Sequence, residues 1–236
     1  MLANLGYGSR KEVKMLLKSK AVKVNDTIVK DAKAQIDPNR DIVTLYGEAV
    51  EYKEFIYLMM NKPKGVISAT EDTKEETVID LLQIEDAVFN PFPVGRLDKD
   101  TEGLLIITND GKLSHRLLSP KKHVPKTYFA VIRGNVTEAD VEAFRNGVVL
   151  EDGYETKPGK LKILKSGETS DIELTISEGK FHQVKRMFES VGKKVLYLKR
   201  ISMGPLALDE TLELGEYREL TEEEVELLQT YEVKEK

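Results

Sequence analysis

From residue 55 onward the chain is dominated by short apolar runs bounded by turn residues, a pattern typical of β-strands. The clearest runs are residues 55–60, 66–69, 104–108, 128–133, 171–177 and 195–198. They follow one another without the regular strand–helix–strand alternation that builds a parallel sheet. The pattern therefore predicts an α+β fold in which helices flank a mixed, mostly antiparallel sheet.

Helical signals occur in three segments of the same region. Residues 113–118 suggest a short helix, and residues 181–191 place apolar side chains at helical spacing. Gly192 follows the second segment at the position of a C-terminal cap. Thr221 begins a capping box, which predicts a final amphipathic helix.

The first 47 residues have a different pattern, one basic helix followed by short strands. Ser9 and Glu12 form a capping box ahead of this helix. Its polar side carries four cations, Arg10, Lys11, Lys14 and Lys18. Residues 48–54 contain three glutamates and little to pack, so they are predicted to be a linker. The predicted organisation is a small α/β module at 1–47, a linker at 48–54 and a larger domain at 55–236.

Charge is distributed unevenly along the 236 residues. The net charge is −5 at pH 7, whereas a nucleic-acid-binding domain is usually basic. Residues 209–236 carry −8, however, so residues 1–208 carry +3. Bases concentrate in residues 1–47, 112–133 and 180–200. Three such windows indicate a surface for a polyanion, although a single lysine-rich window would be read as an ordinary solvated face.

Several classes of protein are excluded by what the sequence does not contain. There is no cysteine, so disulfides, thiolate metal sites and thiol catalysis are excluded, and a reducing cytoplasm fits. His115, His123 and His182 are far apart in sequence, which argues against a zinc site. No apolar run approaches the roughly 18 residues of a membrane span, and no signal peptide is recognisable. We expect a cytoplasmic protein with no membrane association.

The densest group of reactive side chains lies in residues 95–108. Asp98, Asp100 and Glu102 come directly before a strongly apolar strand, which would hold a carboxylate at the edge of the sheet. A carboxylate placed in this way can act as a nucleophile or base. The Asp98/Asp100 pair could instead bind a cation or act as a glycosidase-like couple, or the acids could simply belong to a polar turn.

This segment resembles the signature loop of pseudouridine synthases of the RsuA branch. Residues 95–105 (GRLDKDTEGLL) carry the resemblance, and residues 58–65, 126–128 and 176–188 are also similar to that branch. Residues 6–12 and 22–25 resemble the S-four-type RNA-binding module that precedes the catalytic domain there. Such modules usually begin a few residues earlier, so we expect the start at Met1 to be clipped.

The resemblance implies isomerisation of uridine to pseudouridine in ribosomal RNA. Residues 114–128 are most similar to the small-subunit enzymes, the 16S rRNA pseudouridine(516) type. The alternatives are a large-subunit (23S) enzyme of the same branch and a non-catalytic ribosome-assembly factor that binds RNA. A carboxylate-pair hydrolase fits the basic windows poorly. The expected partner is ribosomal RNA or an assembling small subunit, bound by a monomer that needs neither a cofactor nor a metal.

The resemblance also assigns the catalytic roles. Asp98 is the catalytic carboxylate, Tyr128 packs on the base and relays a proton, and Lys185 is the cation that pairs with Asp98. Burial disfavours an ionised carboxylate, so a nearby cation is expected. On a helix that starts at Phe181, Lys185 shares a stripe with Phe181 and Phe188, where a lysine either extends to solvent or is held inward by a carboxylate.

The remaining predictions concern contacts with RNA. Arg96 is expected to fill the space of the extruded base or hold its phosphate, or alternatively to form a salt bridge with Asp100 or Glu102. The three histidines have no visible partner in the sequence and are interpreted as packing or RNA-contacting residues. The candidate RNA-binding residues are Arg96, Arg10, Lys11, Lys14, Lys121, Lys122, Lys126 and Arg186.

Overall fold

The computed structural model describes residues 1–38 and 40–232, which form two compact units. The first unit consists of Met1–Ile56 together with Leu82–Pro91, and the second of Tyr57–Leu81 together with the chain from Phe92 onward. The first unit contains residues 1–54, the predicted module and linker. The return of Leu82–Pro91 to the first unit was not predicted, since this segment has no pattern that distinguishes it from its neighbours.

The first unit is a small sheet with one helix of nine residues and one of four. Its elements are α1 (Arg10–Lys18), β1 (Val22–Val24), β2 (Thr27–Ile28), β3 (Val43–Leu45), β4 (Glu48–Ala49) and α2 (Ile84–Ala87). The strands are antiparallel in the order β2-β1-β3-β4. The predicted capping box begins α1, because the Ser9 hydroxyl accepts from the backbone N of Glu12 and the Glu12 carboxylate accepts from that of Ser9.

The predicted linker at 48–54 is wrong at its start. Glu48 and Ala49 form β4, which pairs with β3, and Val50 is buried in the core of the unit. Tyr46 and Gly47 both have positive φ, 52° and 90°, as a two-residue hairpin turn requires. The strand was missed because its two residues are exposed, and such a strand is specified by backbone pairing, with no apolar pattern.

The second unit is built on one nine-stranded sheet. Its strands are β5 (Tyr57–Lys62), β6 (Phe92–Pro93), β7 (Glu102–Thr108), β8 (Lys126–Arg133), β9 (Lys160–Lys165), β10 (Thr169–Ile176), β11 (Lys194–Met203), β12 (Leu206–Ala207) and β13 (Tyr217–Glu219). The order is β13-β5-β7-β11-β8-β10-β9, with β12 beside β11 and β6 beside β7. Within the described residues only the β7–β11 pair is parallel, which confirms the predicted mixed, mostly antiparallel sheet.

Four α-helices flank this sheet. They are α3 (Gly111–Leu118), α4 (Glu138–Asn146), α5 (Gln183–Ser190) and α6 (Glu222–Thr230), and a 3-10 turn covers Pro120–Lys122. Helices α3 and α6 pack on one apolar cluster, and α4 meets α5 through the rings of Phe144 and Phe188, whose centroids are 5.0 Å apart. Every residue of β7 is buried, so the loop before it is attached to a strand in the core of the unit.

Two local predictions differ from the structure, and two elements were not predicted. Residues 66–69 do not form a strand, since only Ile67 makes an isolated bridge, to Thr77. The helix predicted from Phe181 begins at Gln183, because His182 adopts a left-handed conformation with φ 48°. Helix α4 and strand β9 were not predicted. In the part of the chain that is described, no helix is long and apolar enough to cross a membrane.

Candidate active site

The loop that carries Asp98 is fixed by hydrogen bonds to its backbone. The N–H of Thr101 donates to the carbonyl of Asp98 at 3.0 Å, which closes a turn. The Ser68 hydroxyl accepts from the N–H of Leu97 and donates to its carbonyl, both at 3.0 Å. Ser68 thus holds the residue directly before Asp98, and the carboxylate projects from a turn that is fixed on both sides.

The close contact between β7 and β11 requires a glycine at position 103, where the loop enters its strand. Gly103 has φ 104°, and a Cβ atom there would lie 2.2 Å from the backbone oxygen of Arg200. Only glycine lets β7 approach β11 at this point. The glycine therefore sets the position at which the Asp98 loop enters the sheet.

Lys62, at the end of β5, binds the backbone carbonyls of the same loop. Its Nζ donates to the carbonyls of Asp98 at 3.2 Å, Thr101 at 3.0 Å and Pro63 at 2.9 Å. The side chain is fully buried, and burial lowers the pKa of Lys62 to about 8, although the charges of Asp100 and Asp98 act to raise it. Lys62 was not among the predicted site residues. One sequence feature could have identified it: a lysine at the end of an apolar strand, directly before a proline.

Lys185 on α5 is held inward by two carboxylates. Its Nζ lies 3.0 Å from Oδ2 of Asp98 and 2.6 Å from Oδ1 of Asp100. Partial burial acts to lower the pKa of Lys185, but hydrogen bonds from its ammonium to Asp100 and Asp98 outweigh burial and hold the pKa above its ordinary value. The predicted inward orientation and the contact with Asp98 are confirmed, and the group is an ammonium at neutral pH.

Asp98, Tyr128 and Lys185 line a single cavity of about 80 Å³. Tyr128, on β8, is buried, and the apolar side chains of Ile176 and Leu198 contribute to the same wall. The Asp98 side chain is 29% exposed, so it lies at the mouth of the cavity with one side open to a ligand. The structure thus brings together the three residues that the sequence selected, in a partly apolar cleft.

His182 is a second group beside Asp98. Its Nε2 lies 3.6 Å from Oδ1 of Asp98, and its ring stacks on that of Phe181 with centroids 3.7 Å apart. The expectation that His182 has no partner was wrong. The left-handed backbone at His182 turns the ring toward the loop, and no local sequence pattern indicates that conformation.

Arg96 is exposed and lines the cavity with Asp98. It forms no ion pair with the described residues, so its alternative role as a structural salt bridge is not adopted. Asp100 pairs with Lys185, and Glu102 accepts a hydrogen bond from the hydroxyl of Tyr197 at 2.6 Å. The guanidinium therefore remains available to a ligand.

The other candidate RNA-binding residues fall into two groups. Five of them have exposed side chains, on α1 or in the 3-10 turn: Arg10, Lys11, Lys14, Lys121 and Lys122. Lys126 is buried and donates to the carbonyl of Val124 at 3.0 Å, so a contact with RNA phosphate does not fit its position. Nη2 of Arg186 lies 2.5 Å from Oδ2 of Asp152, so its guanidinium is already engaged in an ion pair within the protein.

The burial of Lys126 follows from the geometry of its strand. Strand β8 alternates buried and half-buried residues, and Lys126 occupies a buried position of that alternation. Burial lowers the pKa of Lys126 to about 8, with a further contribution from the nearby charge of Arg200. A count of basic residues in a window does not distinguish the two faces of a strand.

Comparison with known proteins identifies two families along the chain. The model of a family described as RNA pseudouridylate synthase matches residues 56–190, and that of the S4 domain matches residues 1–42. The chain is 58% identical to the uncharacterized RNA pseudouridine synthase YtzG of Bacillus subtilis, over 97% of this chain and 96% of that protein.

Two other relatives have names that refer to different ribosomal subunits. The chain is 40% identical to ribosomal small subunit pseudouridine synthase A of Haemophilus influenzae, over 95% of each protein. It is 38% identical to ribosomal large subunit pseudouridine synthase B of Bacillus subtilis, over 97% of this chain and 93% of that one. A crystal structure of a pseudouridylate synthase matches with 39% identity and a TM-score of 0.69, over 96% of each chain.

Proposed function

The chain belongs to the RNA pseudouridylate synthase family, and from this we propose that it isomerises a uridine of ribosomal RNA to pseudouridine, with Asp98 as the nucleophile. The observation that carries the proposal is the contact between Asp98 and the ammonium of Lys185 at 3.0 Å in the cavity lined by Tyr128. A carboxylate paired with a cation in a partly apolar cleft is a suitable nucleophile.

The reaction breaks the N1–C1′ bond of uridine, turns the base, and forms a C5–C1′ bond, after which a proton leaves C5 and N1 gains one. No redox change and no external group are required. Three routes are open to this reaction. Asp98 attacks C1′, or it attacks C6, or it assists the formation of a glycal-like species. Each route requires the ionised form of the carboxylate. We assign Tyr128 to packing on the base and relaying the C5 proton. Lys185 places its positive charge beside the Asp98 carboxylate.

We propose the small-subunit 16S rRNA, of the pseudouridine(516) type, as the substrate. The similarity of residues 114–128 to the small-subunit enzymes and the 40% identity to such an enzyme support this choice. The 23S rRNA is a second candidate, because a large-subunit enzyme is 38% identical over 97% of the chain. Protein-free rRNA and assembling subunits are both possible forms of the substrate.

RNA would be held by phosphate contacts as well as by the cavity. The exposed cations of α1 and the turn at Pro120–Lys122 suit phosphate groups, and Arg96 suits the phosphate or the vacated space of the everted nucleotide. These contacts make affinity depend on salt without selecting a sequence. Selection of one uridine then depends on RNA shape and on the cavity.

Mapping of the modified nucleotide tests the proposal. Ribosomal RNA from cells with and without the protein is treated with carbodiimide and reverse transcribed, and we expect one uridine of 16S rRNA to lose its stop when the protein is absent. The Asp98→Asn variant should fail to restore that stop while its RNA affinity falls less than about tenfold, since it keeps the RNA-facing cations. A change in 23S rRNA would select the second candidate. If no uridine changes, the protein is a non-catalytic assembly factor.

A further inference from the structure

A second hollow lies directly beside the Asp98 cavity and has no part in the chemistry proposed above. It has a volume of about 390 Å³, and we call it the outer hollow. His182 and Lys185 line both the outer hollow and the Asp98 cavity, so they form the wall between the two. A ligand group in the outer hollow would therefore be the immediate neighbour of a group held at Asp98.

Phe181 provides an open aromatic surface on the outer hollow. It is 76% exposed, an unusual environment for a phenylalanine. One face of its ring stacks on the imidazole of His182, at a centroid distance of 3.7 Å and an interplanar angle of 20°. The other face is available for a further planar group, so a third ring can extend the stack.

The segment around Phe181 is fixed through hydrogen bonds to the neighbouring Glu178. Oε2 of Glu178 accepts a hydrogen bond from the hydroxyl of Tyr154 at 2.7 Å, and Oε1 accepts from the backbone N of Lys157 at 2.9 Å and from Nε2 of Gln183 at 2.7 Å. The left-handed backbone of His182, φ 48°, is strained for a residue other than glycine. Strain held by a hydrogen-bond network commonly marks a functional position.

The charges of the outer hollow favour a base over a phosphate. Its walls include the carboxylates of Glu151, Asp152 and Glu189, and its arginine, Arg186, is paired with Asp152 at 2.5 Å. These acids repel a phosphate, whereas carboxylates accept hydrogen bonds from the amino groups of bases. A nucleic-acid base stacked on an aromatic ring is a common means of binding single-stranded RNA.

We propose that the outer hollow binds the base of the nucleotide next to the reacting uridine, stacked on the open face of Phe181. This inference rests on the proposed function, because it takes Asp98 to mark the position of the uridine. It gives Phe181 a role in holding RNA in register with the cavity and no role in the bond-making steps.

The test is an equilibrium binding experiment with a nine-nucleotide oligouridylate whose central residue is 2-aminopurine, which loses fluorescence when it stacks. We expect wild-type protein to quench the probe at saturation. Phe181→Leu keeps apolar volume but removes the aromatic face, so quenching should be lost and affinity should fall roughly fivefold or more. Phe181→Trp should restore both. The matched control is Ile84→Ala, since Ile84 is 74% exposed and should not matter.

The salt dependence of binding separates stacking from charge. Phe181→Leu removes no phosphate contact, so the slope of log affinity against log salt should stay unchanged. The proposal is overturned if wild type fails to quench, if Phe181→Leu behaves as wild type, or if the slope changes. Failure of the proposed function is seen separately, as unmodified uridines in the rRNA map, because the binding experiment does not depend on isomerisation.

Discussion

Nζ of Lys185 lies 3.0 Å from Oδ2 of Asp98, although the two residues are 87 positions apart in the sequence. The pair joins the loop before β7 to the first turn of α5. It places the positive charge of Lys185 beside the proposed nucleophile. The same ammonium also binds Asp100, which is 69% exposed and so contributes mainly to the position of the loop. The arrangement can be tested one side chain at a time.

Lys185→Met should reduce isomerisation by roughly a hundredfold or more, because it leaves Asp98 partly buried without its cation. Circular dichroism should show a folded protein, and single-turnover assays on rRNA should show the loss in the chemical step. Asp100→Asn is the matched control, since it removes the negative charge of the ammonium's second partner and should retain most activity. Full activity of Lys185→Met would refute the role of the ion pair.

Tyr128→Phe tests the proposed proton relay. The ring still lines the cavity together with Ile176 and Leu198, so RNA binding should be retained. Loss of the hydroxyl should slow turnover by roughly a hundredfold or more if it transfers the C5 proton. Measurement of kcat and KM separates these effects. A change in KM alone would leave Tyr128 as a packing residue.

Lys62→Met should change how stability depends on pH. The folded pKa of about 8 lies below the unfolded value of about 10.4, so between these pH values the unfolded state binds more protons than the folded state. The free energy of unfolding of wild type, relative to Lys62→Met, should therefore rise from pH 8 to 10.4 and stay level below pH 8. Urea unfolding across this range measures it.

Lys64→Met is the control for that series, because its side chain is 48% exposed. Its difference from wild type measures the effect of replacing a lysine by methionine at an exposed position. A flat difference for Lys62→Met across the whole range would contradict the assignment of a buried ammonium at that position.

Replacement of Lys121 and Lys122 by alanine should weaken RNA binding at low salt and reduce the salt slope by roughly 0.7 to 0.9 for each phosphate that is no longer neutralised. Lys126→Ala is a matched control from the same basic window, because its amine is buried and donates within the protein. It should lower thermal stability and leave the salt slope unchanged. Titrations at several salt concentrations measure the affinity and the slope, and thermal unfolding measures the stability.

Much of the fold could be predicted because it depends on local patterns. The alternation in β10 and the apolar run of β7 specify strands directly, and the capping boxes at Ser9 and Thr221 specify helix starts. Strand β4 and the left-handed residue His182 could not be predicted in this way. Both depend on backbone pairing or on contacts with distant residues, which leave no periodic pattern.

The candidate site shows the same division. Asp98, Tyr128 and Lys185 were selected by family resemblance, and spacing alone left several acids equivalent. The burial of Lys126 and Lys62 and the pairing of Arg186 follow from tertiary contacts, so residue type alone gave the wrong environment or no prediction. Long-range contacts decide which cations face solvent.

The close approach of Gly103 to Arg200 has a consequence for genetics. A methyl group at position 103 would meet the oxygen of Arg200 at 2.2 Å, so even alanine must push two strands apart. The displacement would move the reactive loop while every polar group around it stayed chemically intact. Selections for inactive alleles should therefore recover substitutions at this glycine, and such alleles would be mistaken for lesions in RNA binding unless the strand junction is considered.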